Sequence, residues 1–253
     1  MTFADQGHTE NQLQDATPTA QLRLVHQGQA YFDRKLNALS DADLDAESAL
    51  PGWTRRHVIA HVGLNARALA NLAAWAATGV ETPMYNSPTQ RNDDIASAVL
   101  LPSEELRELS HSSASLLDAA WRNLEPDAWS HEVRSAQGKP IPASETAWMR
   151  AREVWIHAVD LNTGARFADF PEDVIDRLLA EVLGGWDARR AAESLPSFVL
   201  RSFDRDDPVT SGDAASAVIL SGTAATLAAW ATGRGSEGVT AETGEVPAAP
   251  RWL

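Results

Sequence analysis

Apolar residues recur at helical spacing as far as Gly164, and short alternating runs enter only beyond Phe170-Pro171. Leu22, Val25, Ala30, Phe32, Leu36 and Leu39 predict a helix from Pro18 to about Ser40. Residues 1–17 are polar and patternless and read as a frayed lead-in. A second helix opens after Trp53, with Thr54 as its N-cap and Gly79 as its stop. Its stripe of His57, His61, Leu64, Ala68, Leu72 and Trp75 lies on one helical face. After a loop from Val80 to Gln90, a third helix covers Arg91 to about Leu100. A fourth runs from Ser103 to roughly Asn123, with Glu104 and Glu105 in its first turn, where they favour the dipole. Trp129 to Pro142 reads as loop with one short strand. A last helix begins at Ser144, continues through Trp148, Glu153 and His157, and ends near Gly164.

The texture then changes. Glu172 to Glu193 is one amphipathic helix, Ser197 to Ser202 alternates like a strand, and Ala217 to Leu220 is a second strand candidate. Gly222 to Thr232 reads as a helix closed by Gly233, and the proline-containing tail from Val239 to Leu253 as extended chain. The reading is an α+β protein: a helical domain over residues 1–168, then a smaller α/β domain over 169–253.

Composition narrows the function classes. With 44% hydrophobic and 22% charged residues the chain is globular in character, which excludes wholesale disorder, collagen-like repeats and coiled coil. No stretch reaches the roughly 18 consecutive apolar residues of a membrane helix. The first thirty residues lack a basic start and an apolar block, so the expected location is the cytoplasm. A net charge of −14 repels phosphate backbones and argues against nucleic acid as a partner, and it means that an anionic substrate needs arginines placed inside its site. There is no cysteine, so disulfides, thiolate ligands and a cysteine nucleophile are all excluded, and any thiol chemistry must use a borrowed thiol. No long apolar seam calls for a dimer, and a monomer is expected.

Two helices carry metal-type ligands, His57 with His61 and Glu153 with His157, each pair at i, i+4 and so on one face. Zinc catalytic sites take three ligands of this kind and keep a fourth position open. Spacing alone equally describes ordinary core or surface pairs, and there is no HExxH: His131-Glu132 is followed by Ser135. His8, His26, His111 and His131 have no partner at useful spacing and read as surface or capping residues. Asp160 could orient a ring nitrogen of His157, although a helix-end charge is the plainer reading. Arg91 and Arg234 sit at helix ends beside loops, where a guanidinium could clamp a carboxylate or simply face water. Gly233-Arg234-Gly235 lacks the lysine and preceding strand of a phosphate loop.

The segment GWTRRHVIAHV (Gly52–Val62) resembles the opening metal helix of the mycothiol-dependent maleylpyruvate isomerase family, and ASETAWMRAREVWIHAVDL (Ala143–Leu161) resembles its second ligand helix. The similarity continues through ETPMYNSPTQRN (Glu81–Asn92), DAWSHEV (Asp127–Val133) and GRGSEGVTAETGEVPAAPRWL (Gly233–Leu253), leaving residues 1–20 and about 187–215 least matched. The WTxxHxxxH portion belongs to a broad superfamily, whereas the loop and C-terminal matches point to the isomerase itself. The resemblance implies a DinB-like four-helix bundle followed by a small α/β domain that closes the active-site cleft. It implies a divalent metal, usually zinc, held by His61, Glu153 and His157, with His57 outside the ligand set. It implies mycothiol as the imported thiol, and Arg91 and Arg234 as the clamps for a small dicarboxylate substrate. The implied reaction is thiolate addition to maleylpyruvate, rotation and re-expulsion to give fumarylpyruvate. Two rivals remain open at this stage: a mycothiol-dependent S-transferase, and a non-catalytic zinc-binding regulatory protein.

Overall fold

The computed structural model describes residues 18–252; the polar lead-in of residues 1–17 lies outside the described residues. The chain divides into two compact units between Thr163 and Gly164. The sequence pattern places the boundary at 168/169. The difference comes from the turn at Phe167–Asp169, which packs on a helix of the second unit and so belongs to it.

The first unit holds α1 (Pro18–Asn37), α2 (Arg55–Thr78), α3 (Gln90–Ala98), α4 (Ser103–Arg122) and α5 (Glu145–Asp160). The four long helices form a bundle in which α2 packs on α4 and α5, and α1 packs on α5; the short α3 lies beside α2. Phe32, Leu36, Ile59, Leu69, Leu72 and Leu106 are fully buried within it.

The ends of α2 show why it starts and stops where the sequence says. The Thr54 backbone N–H donates to His57 Nδ1 at 3.2 Å, and the Thr54 hydroxyl lies 2.8 Å from the same nitrogen. His57 thus plays the reach-back part that Glu or Gln takes in a capping box. At the other end Gly79 adopts φ +71° and its N–H donates to the Trp75 carbonyl. His131 Nδ1–H donates to the Ala76 carbonyl at 2.7 Å, so this histidine caps a helix end.

Between α4 and α5 runs a hairpin, β1 (Glu132–Arg134) and β2 (Pro140–Pro142), with Val133 opposite Ile141. The second strand departs from the loop expected there, because prolines normally break a ladder. Here the ladder bonds fall at Ser135–Lys139 and Ala143–His131. By the antiparallel alternation, Pro140 and Pro142 therefore sit at positions that need no N–H donor.

The second unit contains α6 (Glu172–Glu193), β3 (Phe198–Ser202), β4 (Val209–Ser211), β5 (Val218–Gly222), α7 (Ala224–Ala231) and β6 (Thr240–Ala241). Sheet order is β4-β3-β5-β6, with β3 and β5 parallel and both edge strands antiparallel to their neighbours. Its core is an aromatic cluster in which Trp186, Phe198 and Trp230 have ring centroids 5.2–5.6 Å apart. The edge strands β4 and β6 carry no alternating signal in the sequence, since three and two residues are too few to show a period.

Gly28 tests the α1–α5 packing. A Cβ there would lie 2.6 Å from Trp155 Nε1 and 2.7 Å from Val154 Cγ2, and Trp155 is pinned by its bond to the Leu24 carbonyl at 3.1 Å. Gly→Ala inside a helix gains about 1 kcal/mol, but overpacking costs about 1–3 kcal/mol. Gly28→Ala is expected to destabilise the protein by up to about 2 kcal/mol in urea unfolding; an increase in stability would show that these helices yield.

Candidate metal centre

Glu153 and His157 face one way because four residues on α5 make slightly more than one turn. α2 brings His61 to them. His61 Nε2 and His157 Nε2 lie 3.0 and 3.1 Å from the same carboxylate oxygen, Oε2 of Glu153. The two imidazole rings are 4.8 Å apart and almost perpendicular at 89°. One ligand atom from each residue lies within 4.8 Å of the others, and among the described residues the cluster has these three members.

Two arginines set the register of α2 against α5. Arg55, at the start of α2, donates from Nε to the Leu161 carbonyl at 2.8 Å and from Nη2 to the Asn162 carbonyl at 3.0 Å, satisfying the end of α5. Arg150, one turn before Glu153, is 1% exposed. It donates to the Val62 carbonyl at 2.7 Å, Asn65 Oδ1 at 3.1 Å and Gln29 Oε1 at 2.8 Å. Burial lowers its pKa to about 10 against the pull of Glu153 and Asp33, so the guanidinium stays charged at neutral pH. Pattern reading missed Arg150, since an arginine on a helix ordinarily reads as surface.

The electrostatics suit a cation site. Burial pushes the Glu153 pKa up, but bonds from His157 and His61 outweigh it and hold the group well below the usual carboxylate range. Burial lowers the His61 pKa, opposed by Glu153, which keeps this imidazole neutral. For His157 burial also works downward, yet the Asp160 and Glu153 carboxylates prevail and raise it to about 9. Asp160 is fully buried and accepts from His157 Nδ1 at 2.8 Å. That bond holds the Nδ1 proton of His157 and turns Nε2, whose proton is shared with Glu153, towards the cluster, so an ion bound there would take the place of the Nε2 proton. Two imidazoles and one carboxylate match the donor set of a three-ligand divalent site with an open position.

Trp53 stands edge-on to His61 with ring centroids 5.8 Å apart. Arg91, at the start of α3, points Nη2 at His61 Nδ1 across 3.4 Å and donates from Nη1 to Asn92 Oδ1 at 3.2 Å. Tyr85, just before α3, has its hydroxyl beside the Arg91 guanidinium. Of the residues singled out in the sequence, His61, Glu153, His157 and Arg91 therefore come together, while His57 is committed to the helix cap. Arg234 belongs to the second unit, half-buried just past α7, where Nη1 donates to the Thr232 carbonyl at 2.6 Å.

A helical bundle whose facing helices supply His, Glu and His is the class of domain defined by this geometry. The model of the mycothiol maleylpyruvate isomerase N-terminal domain matches residues 25–162. Across both units the chain resembles a crystal structure of the mycothiol-dependent maleylpyruvate isomerase, at 46% identity and a TM-score of 0.90. That match covers 94% of this chain and 98% of the other. A histidine-to-alanine variant of that isomerase matches equally in fold, at 45% identity. No protein with a curated description matches the chain significantly. The chain belongs to the mycothiol-dependent maleylpyruvate isomerase family.

Replacing His61 by Ala or Glu153 by Gln is expected to abolish stoichiometric binding of a divalent ion. Asp160→Asn should keep the fold and weaken metal affinity by about 10–100-fold, read by competition with a chromophoric chelator. Unchanged affinity in Asp160→Asn would remove that residue from any role in orienting His157.

Proposed function

We propose that the protein is a cis–trans isomerase that converts maleylpyruvate to fumarylpyruvate in the cytoplasm, with mycothiol as a catalytic thiol and zinc, or another divalent ion, at His61, Glu153 and His157. The observation that carries this reading is the 46% identity, spread over 94% of the chain, to a mycothiol-dependent maleylpyruvate isomerase. The His–Glu–His cluster is consistent with it.

Bound at this site, the ion and mycothiol would supply a thiolate that adds reversibly to the conjugated cis double bond and leaves a single bond free to rotate. The chain's own groups do the rest. His61 and His157 would hold the ion through Nε2, each giving up the proton it directs at Glu153, and Glu153 would offset part of the positive charge. Asp160 holds the Nδ1 proton of His157 and so keeps its ring turned. Trp53 covers one edge of His61 and limits water there. Arg91 binds a carboxylate of the substrate. Its guanidinium answers the repulsion that a chain of net charge −14 exerts on a dianion.

A three-ligand cluster favours catalysis over a structural or regulatory site, because structural zinc usually has four protein ligands. Metal-loaded protein mixed with maleylpyruvate should give many turnovers of fumarylpyruvate per mycothiol and none without it. Stoichiometric consumption of mycothiol would instead define an S-transferase, and no conversion with metal bound would end the isomerase reading. Arg91→Met should raise KM for maleylpyruvate about 10–100-fold, the equivalent of one lost charge-assisted bond, with the thermal midpoint unchanged.

A further inference from the structure

A cavity of about 430 Å³ lies in the first unit, and Arg91 on its wall reaches to within 3.4 Å of His61. Leu64 and Asn71 of α2, Tyr85 before α3, Arg91 and Asp94 of α3, and Leu109 of α4 line it. Several polar groups nearest the cluster are committed: His57 to its cap, Asp160 to His157, and Arg150 to three oxygen atoms. Tyr85 is different. It is half-buried on the cavity wall and brings a neutral O–H. The charged groups facing it are the Arg91 guanidinium and, at longer range, the Glu153 and Asp94 carboxylates.

The isomerisation creates a need for such a group. When the thiolate of mycothiol adds to a double bond conjugated with a carbonyl, a C–S bond forms and the π pair moves onto the carbonyl oxygen. Rotation follows, the pair returns, and the C–S bond breaks. For the lifetime of that enolate a full negative charge sits near two carboxylates, and a preorganised donor aimed at it stabilises it.

We propose that the Tyr85 hydroxyl is the donor that receives the substrate's carbonyl oxygen as it takes on charge, which makes Tyr85 a catalytic residue of this reaction. The phenol shares its proton through the hydrogen bond and keeps it, so the cycle is proton-neutral. Burial raises the Tyr85 pKa above the ordinary 10, against the opposing effect of Arg91, and the group remains a donor throughout the neutral range.

The inference rests on the isomerase reading, but the two fail separately: wild-type turnover tests the reading, and Tyr85 variants test the inference. In metal-loaded Tyr85→Phe, kcat should fall about 10²–10³-fold, with KM for maleylpyruvate and metal stoichiometry within twofold of wild type. A kcat within threefold of wild type, or a raised KM with kcat intact, overturns the proposal. Fluorotyrosine substitution supplies a second measurement if Tyr85→Phe does not fold. The chain has two tyrosines, and the other, Tyr31, stacks on Trp155 at 5.1 Å away from the cavity lining. A more acidic phenol at position 85 should move the alkaline limb of the kcat profile to lower pH, and a limb that stays in place overturns the proposal.

Discussion

A carboxylate placed among helices is costly unless positive or polar groups are aimed at it, and the first unit is organised around one such group, Glu153. Two imidazoles converge on a single oxygen of it at 3.0 and 3.1 Å. That convergence requires α2 and α5 to meet in one register, because a helix slipped by a single residue turns its side chains by about 100°. The metal-type donor set is therefore a consequence of helix packing as much as of the three residues themselves.

Arg55 and Arg150 enforce that register from either side of the cluster. Arg55 joins the first turn of α2 to the carbonyls at the end of α5. Arg150 reaches from α5 into α2 and α1, and every partner it meets is a neutral oxygen. A buried guanidinium without a directly bonded carboxylate adds to the positive field at Glu153, three residues along, and helps keep it ionised. The same bonds join the helix that carries Glu153 and His157 to the helix that carries His61, so packing and site chemistry rest on shared contacts.

Much of the fold was legible because its helices are punctuated: Thr54 and Gly79 bound α2, and Pro171 precedes α6, which runs from Glu172 to Glu193 as its pattern predicts. The strands of the second unit were legible where the run is five residues long, as in β3, although its first three residues are all buried and do not alternate, and the two edge strands were too short to register. Spacing placed Glu153 with His157, but it paired His61 with His57 just as readily. The capping geometry at Thr54 separates those two histidines, and no periodicity could have done so. Asp160 reads as an ordinary helix-end charge until its contact with His157 and its complete burial are seen together. Arg150 and Tyr85 carried no sequence signal as site residues, since what distinguishes them is burial and the company they keep.

The central claim is that three protein ligands leave one position at a divalent ion for an incoming thiol. X-ray absorption at the zinc edge, recorded on zinc-loaded protein before and after addition of mycothiol, addresses it directly. The account predicts only nitrogen and oxygen neighbours at about 2.0–2.2 Å at first, then one sulfur at about 2.3 Å when the thiol is added. A coordination shell unchanged by mycothiol would contradict it.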